Sequence, residues 1–123
     1  MISYLNARVL GVTTALLLSF AAGSASAAVD EATYAGSKLY KRERCETCHG
    51  ATGEGSAAFP NLLNSLKNLT KEQFVTTVLN GRNAMPPYSA NKKVADGIDS
   101  LYTYLKGRSD GTVPAGDLEA PAK

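Results

Sequence analysis

Both cysteines of this 123-residue chain and its only histidine fall within five consecutive positions, Cys45-Glu46-Thr47-Cys48-His49. No other feature restricts the chain so tightly. Chemistry that needs two histidines is excluded. So is a four-ligand zinc site made of Cys and His alone, because only three such side chains exist. The spacing is informative too. On a helix, positions i and i+3 lie on one side with Cβ atoms about 5–6 Å apart. His49 is four residues on from Cys45 and shares that side.

The pattern C-x-x-C-H is the attachment signal of c-type haem. Thiols one turn apart can reach the two vinyl groups on one porphyrin edge, and the following imidazole can be held beneath the iron. Cys45 and Cys48 are therefore expected to bind one haem c covalently, with His49 as an axial ligand. A thiol–disulfide redox motif is the main rival. It normally sits beside a βαβ pattern, and this chain shows no alternating strand pattern.

The first 27 residues read as a secretory signal peptide. Arg8 precedes the largely apolar run Val9–Ala22, and Ala25-Ser26-Ala27 fits the small-residue cleavage pattern. Such a run falls short of the ~20 apolar residues that span a bilayer. Cleavage before Ala28, export to the periplasm and no membrane span in the mature protein are expected. The mature chain then holds a single methionine, Met85. Composition adds one exclusion: 13 basic against 11 acidic residues is no basis for nucleic-acid binding.

Beyond the leader the expected organisation is all-α. Asp30 to about Arg44 has acids first and bases last, which suits the helix dipole. Residues 49–65 read as a long loop, rich in Gly, Pro and Asn, and a turn of helix is expected around 62–69. Thr70–Leu79 reads as a helix with Thr70 as cap and Gln73 in the capping-box position. Val94, Ile98, Leu101 and Leu105 form an amphipathic stripe, with Lys106 and Gly107 expected to close that helix. A domain over 28–107 and a flexible tail over 108–123 follow.

Met85 sits in the polar, proline-locked segment Gly81–Tyr88. A gap-filling methionine belongs on a helix face, so Met85 is expected as the second axial ligand. Pro86 and Pro87 fix the backbone that follows it. His/Met ligation raises a haem's reduction potential and closes the iron to small ligands. Electron transfer rather than enzymatic catalysis is the expectation.

With these residues in view, the chain resembles the class I cytochrome c family across most of 32–107. The resemblance rests on Gly36–Tyr40, Cys45–Gly50, Phe59-Pro60-Asn61-Leu62, Asn80-Gly81-Arg82, Met85-Pro86 and Leu101–Lys106. It implies a bundle of about three to five helices wrapped around a covalently bound haem, with Gly36 and Tyr40 packed against Leu101 and Tyr104. It also implies that the Pro60 carbonyl accepts a hydrogen bond from the ligating imidazole, which would orient the ring.

Leu62, Leu66, Phe74, Val78 and Leu105 are expected to wall the haem. Arg82, Asn83 and Tyr88 are candidates for its propionates, with a solvated loop charge as the other reading of Arg82. Lys67, Lys71, Lys92 and Lys93 either ring an exposed haem edge or are plain solvated surface.

The segments 80–86 and 104–111 are similar to cytochromes that accept electrons from quinoprotein alcohol dehydrogenases. That implies a pyrroloquinoline-quinone (PQQ) enzyme as donor and a terminal oxidase as acceptor. Docking is expected to be transient, through less than ~1,200 Å² in total, by a monomer. The alternatives are a haem subunit fixed in a larger dehydrogenase and a small haem peroxidase.

Overall fold

The computed structural model describes residues 28–123. The expected leader, 1–27, lies outside the described residues. Five helices follow one another: α1 (Glu31–Arg42), α2 (Glu46–His49), α3 (Leu62–Ser65), α4 (Lys71–Asn80) and α5 (Lys92–Asp110). The described residues contain no named strand, only isolated bridges at Ala28–Glu119 and Arg82–Met85. This is the all-α bundle of three to five helices expected from the sequence.

Local sequence explains most helix ends. Asp30 caps α1, accepting from the Thr33 amide at 2.8 Å and from its hydroxyl at 2.9 Å. At the far end, the Cys45 amide returns to the Tyr40 carbonyl and the Arg44 amide to that of Lys41. This is a Schellman closure with Arg44 at φ 60°, where glycine is usual. Thr70 and Gln73 form the expected capping box of α4, with bonds of 3.2 and 2.9 Å. Asn91 caps α5 by accepting from the Lys93 and Val94 amides.

The frame is the crossing of α1 over α5. A Cβ on Gly36 would run into the Ser100 carbonyl and lie 2.8 Å from Tyr104 Cβ, and one on Gly97 would lie 2.8 Å from Leu39 Cδ2. Two glycines, one on each helix, thus permit the close approach. Beside it the fully buried Tyr40 and Tyr104 rings pack at 5.8 Å between centroids, tilted by 59°. Leu39, Val94, Ile98, Leu101 and Leu105 fill the same core, and α4 adds Phe74 and Val78.

Helix α5 does not stop at Gly107. It runs to Asp110 and closes on Gly111 at φ 77°. Gly107 instead seats Val113, whose Cγ2 would be 2.5 Å from an added Cβ. Val113 is buried in the core at 6% exposure. The expected domain boundary therefore falls inside α5. Beyond it, Asp117 pairs with Lys41 of α1, and Glu119 bridges Ala28. No helix among the described residues is long and apolar enough to cross a membrane.

Candidate functional site

The helices enclose a cavity of about 580 Å³, within the size range of small-molecule and cofactor sites. Leu66, Phe74, Val78, Val94, Leu101 and Leu105 give it an apolar wall. Cys45, Cys48, His49 and Met85 all line it. So do Pro60, Leu62, Arg82, Asn83 and Tyr88. The chain thus brings to one cavity residues that lie up to 65 positions apart, Tyr40 to Leu105.

The thiols come first. The turn at Arg44 ends α1 and starts α2, which presents Cys45 and Cys48 one helical turn apart. Both are unbridged and half-buried. Burial, aided by the Glu46 carboxylate, pushes the Cys45 thiol up to about 11. A redox or nucleophilic cysteine needs the opposite shift, toward thiolate. Cys45 therefore lacks the electrostatics of a thiol–disulfide catalyst.

His49 ends α2. Its Nδ1 lies 3.3 Å from the Pro60 carbonyl oxygen. A carbonyl only accepts, so Nδ1 is the donor in this bond and Nε2 is the nitrogen left available to a metal. That is the arrangement a metal-binding imidazole requires. The loop between them holds this arrangement: the Gly55 amide donates to the His49 carbonyl at 2.6 Å, and the Leu62 amide to that of Gly53 at 2.8 Å.

Met85 is set by a tight turn. Arg82 and Met85 exchange backbone hydrogen bonds at 3.1 and 2.9 Å, with Asn83 at φ 53° between them. Gly81, at φ 76°, admits the Met85 carbonyl where a Cβ would lie 2.7 Å from it. The Tyr88 and Ser89 amides then tie the segment to the end of α4. The thioether is half-buried at the cavity wall.

The charged residues divide between the cavity and the surface. None of Lys67, Lys71, Lys92 and Lys93 lines the cavity. Lys71 pairs with Asp99 at 3.0 Å and Lys92 with Asp96 at 2.6 Å. Arg44, by contrast, lines the cavity beside Cys45 and was not singled out from the sequence. Its place directly before the motif was the only available signal. Arg44 and Asn83 are the non-glycine residues at positive φ among those described, and both lie on the cavity. Strained backbone is concentrated at this site.

A family model described as "Cytochrome C oxidase, cbb3-type, subunit III" matches residues 31–105. The chain belongs to the c-type cytochromes. It is 74% identical over 113 residues to cytochrome c-555 of Methylococcus capsulatus, a match covering 89% of this chain and 92% of that one. It is 36% identical over 104 residues to cytochrome c-553I of Paracoccus denitrificans, of which it spans 44%. Among solved structures it resembles the c-type cytochrome XoxG of Methylobacterium extorquens AM1, with a TM-score of 0.71 and 34% identity. That match covers 76% of this chain and 60% of XoxG.

Membership in this family implies haem c, and the residues present fit it. The cavity is apolar, carries two thiols one turn apart and has an imidazole whose Nδ1 lies against the Pro60 carbonyl. The same cavity has a thioether on its wall. No group of three or more His, Cys, Asp or Glu side chains among the described residues could hold a metal ion without such a cofactor.

Proposed function

We propose that this cytochrome is a periplasmic one-electron carrier with a single haem c joined to Cys45 and Cys48, and with His49 and Met85 as axial ligands. The observation that carries the reading is the convergence of both thiols, the Pro60-oriented imidazole and the Met85 thioether on one apolar cavity. Haem c supplies a one-electron couple. The chain supplies the rest. His49 and Met85 keep a nitrogen and a sulfur donor in fixed places, and the soft thioether favours the ferrous state. Phe74, Val78, Leu101 and Leu105 keep water out. Leu62 and Arg82 complete the wall, with Arg82 available to a propionate.

The rim residues Phe59, Ala84 and Pro86 are exposed, Phe59 at 39%. They offer an apolar contact to a redox partner docking transiently on the monomer. The proposed donor is a PQQ-dependent alcohol dehydrogenase and the proposed acceptor a terminal oxidase. The similarity of residues 80–86 and 104–111 to cytochromes serving quinoprotein dehydrogenases supports the donor. Mixing the oxidised cytochrome with a reduced quinoprotein dehydrogenase should reduce it at micromolar concentration. Absence of reduction removes that donor.

A second reading, a haem subunit held in a larger complex, is favoured by the oxidase-subunit description of the matching family model. Size-exclusion chromatography of native periplasm separates the two. A free carrier elutes at its monomer mass, and a subunit co-elutes with its enzyme.

A further inference from the structure

Residues 50–55 form a short loop directly after His49, and both crossing helices hold it. From α1, the Tyr40 hydroxyl donates to the Gly50 carbonyl at 2.6 Å. From α5, Arg108 donates three times. Nε reaches the Thr52 carbonyl at 3.2 Å, Nη2 the Thr52 hydroxyl at 3.2 Å and Nη1 the Val113 carbonyl at 2.9 Å. Thr52, only 5% exposed, passes its amide and hydroxyl protons toward Glu54 Oε2 at 2.8 and 2.9 Å. One guanidinium therefore fastens the end of α5 to a loop 56 residues away in sequence.

The far limb of the same loop carries Pro60. The Leu62 amide bonds the Gly53 carbonyl at 2.8 Å, and the Ser56 amide bonds that of Phe59 at 3.2 Å. A displacement at Thr52 is thus passed through Gly53 to the residues flanking Pro60. The His49–Pro60 bond is the element that would feel it. At 3.3 Å it is already longer than the usual 2.7–3.2 Å of N–H···O bonds, so a small shift is enough to break it.

We propose that Arg108, acting through Thr52, is a positioning residue for His49: it holds the 50–62 loop so that the imidazole keeps its hydrogen bond to Pro60. This rests on His49 being an axial ligand. A ring that keeps this bond is the stronger donor to iron and favours the ferric state. Loosening the clamp raises the reduction potential.

The test uses the holoprotein matured in a host that assembles c-type haem. Thr52→Val and Arg108→Lys both preserve net charge, so a change in potential is not a simple charge effect. Two quantities are read: solvent exchange of the His49 Nδ1 proton in the ferrous protein by NMR, and the midpoint potential. Both variants are expected to speed that exchange roughly three- to tenfold beyond any change at core amides such as Tyr40 and Leu101, and to raise the potential. Thr52→Ser, which keeps the hydroxyl, should restore both. Lys41→Gln cuts the pair with Asp117 without touching the loop and should leave the exchange unchanged.

Equal acceleration at Nδ1 and at the core amides, with an unmoved potential, makes the clamp merely structural and overturns the proposal. If Arg108→Lys does not fold, the Thr52→Val and Thr52→Ser pair decides the matter alone. A wild-type protein with no haem-shifted His49 ring resonances is a separate result. It removes the ligand assignment itself, and the proposal with it.

Discussion

His49 and Pro60, eleven residues apart, meet through one hydrogen bond of 3.3 Å from Nδ1 to the carbonyl oxygen. That contact fixes the aim of the imidazole before any metal is considered. The folded chain alone thus orients the imidazole proposed as one axial ligand. On the wall of the same cavity Met85, the other proposed ligand, is placed by backbone turns rather than by a side-chain bond.

Met85→Ala removes the thioether while leaving the Arg82–Met85 backbone pairing possible. The reduction potential should fall, because the ferrous state loses its soft ligand. The ferric protein should lose its near-infrared sulfur-to-iron band and bind cyanide more readily. Redox titration and absorption spectra check this; an unchanged potential would count against Met85 as ligand.

Cys45→Ala should leave one thioether through Cys48 and a less stable holoprotein. The expected signature is a shifted α-band in the reduced alkaline-pyridine spectrum, reporting one unsaturated vinyl group. Haem staining on a denaturing gel should persist but weaken. Normal haem retention together with an unshifted band would contradict two-point attachment.

Gly36→Ala should destabilise the fold strongly, because the new methyl meets the Ser100 carbonyl, a backbone group that cannot turn aside. Overpacking of this kind costs about 1–3 kcal/mol. Gly97→Ala meets the Leu39 side-chain end, which can rotate away, so its cost should be smaller. Urea denaturation of the two holoproteins gives the order directly.

Acid should weaken the protein through Asp30 and Glu54. The Thr33 amide and hydroxyl hold the Asp30 carboxyl below its ordinary 3.8. Burial pushes Glu54 upward, but hydrogen bonds from its own amide and from the Thr52 amide and hydroxyl outweigh it, leaving it below 4.5. A carboxylate depressed in the folded state contributes stability above its unfolded value and loses it as pH falls through the folded one. Stability should therefore decline below about pH 4.5. Asp30→Asn still caps α1, and should flatten that decline without changing stability near neutrality by more than a few tenths of a kcal/mol. Unfolding curves from pH 3 to 7 measure it.

The local parts of this structure were legible in the sequence because local rules decide them. The haem motif, the Thr70–Gln73 box and the α5 stripe each lie within one or two turns of chain. The end of α5 was not legible. Gly107 carries the signature of a helix stop, but Val113 packs over it and the helix continues to Asp110. The Arg108–Thr52 bonds join residues 56 apart, and nothing in either neighbourhood announces them. Arg44 was missed for a related reason. Its left-handed backbone at the α1–α2 junction turns it toward the cavity, and arginine gives no sign of that conformation. The lysines were the opposite case. Their charge left two readings open, a ring around the haem edge or solvated surface, and Lys71 and Lys92 pair with the surface carboxylates Asp99 and Asp96.

Intact-mass spectrometry of the protein purified from its native host tests the central claim most directly. The account predicts one species, the chain beginning at Ala28 plus a single haem that survives denaturation. A bare polypeptide from a host with a working haem-attachment system would contradict it.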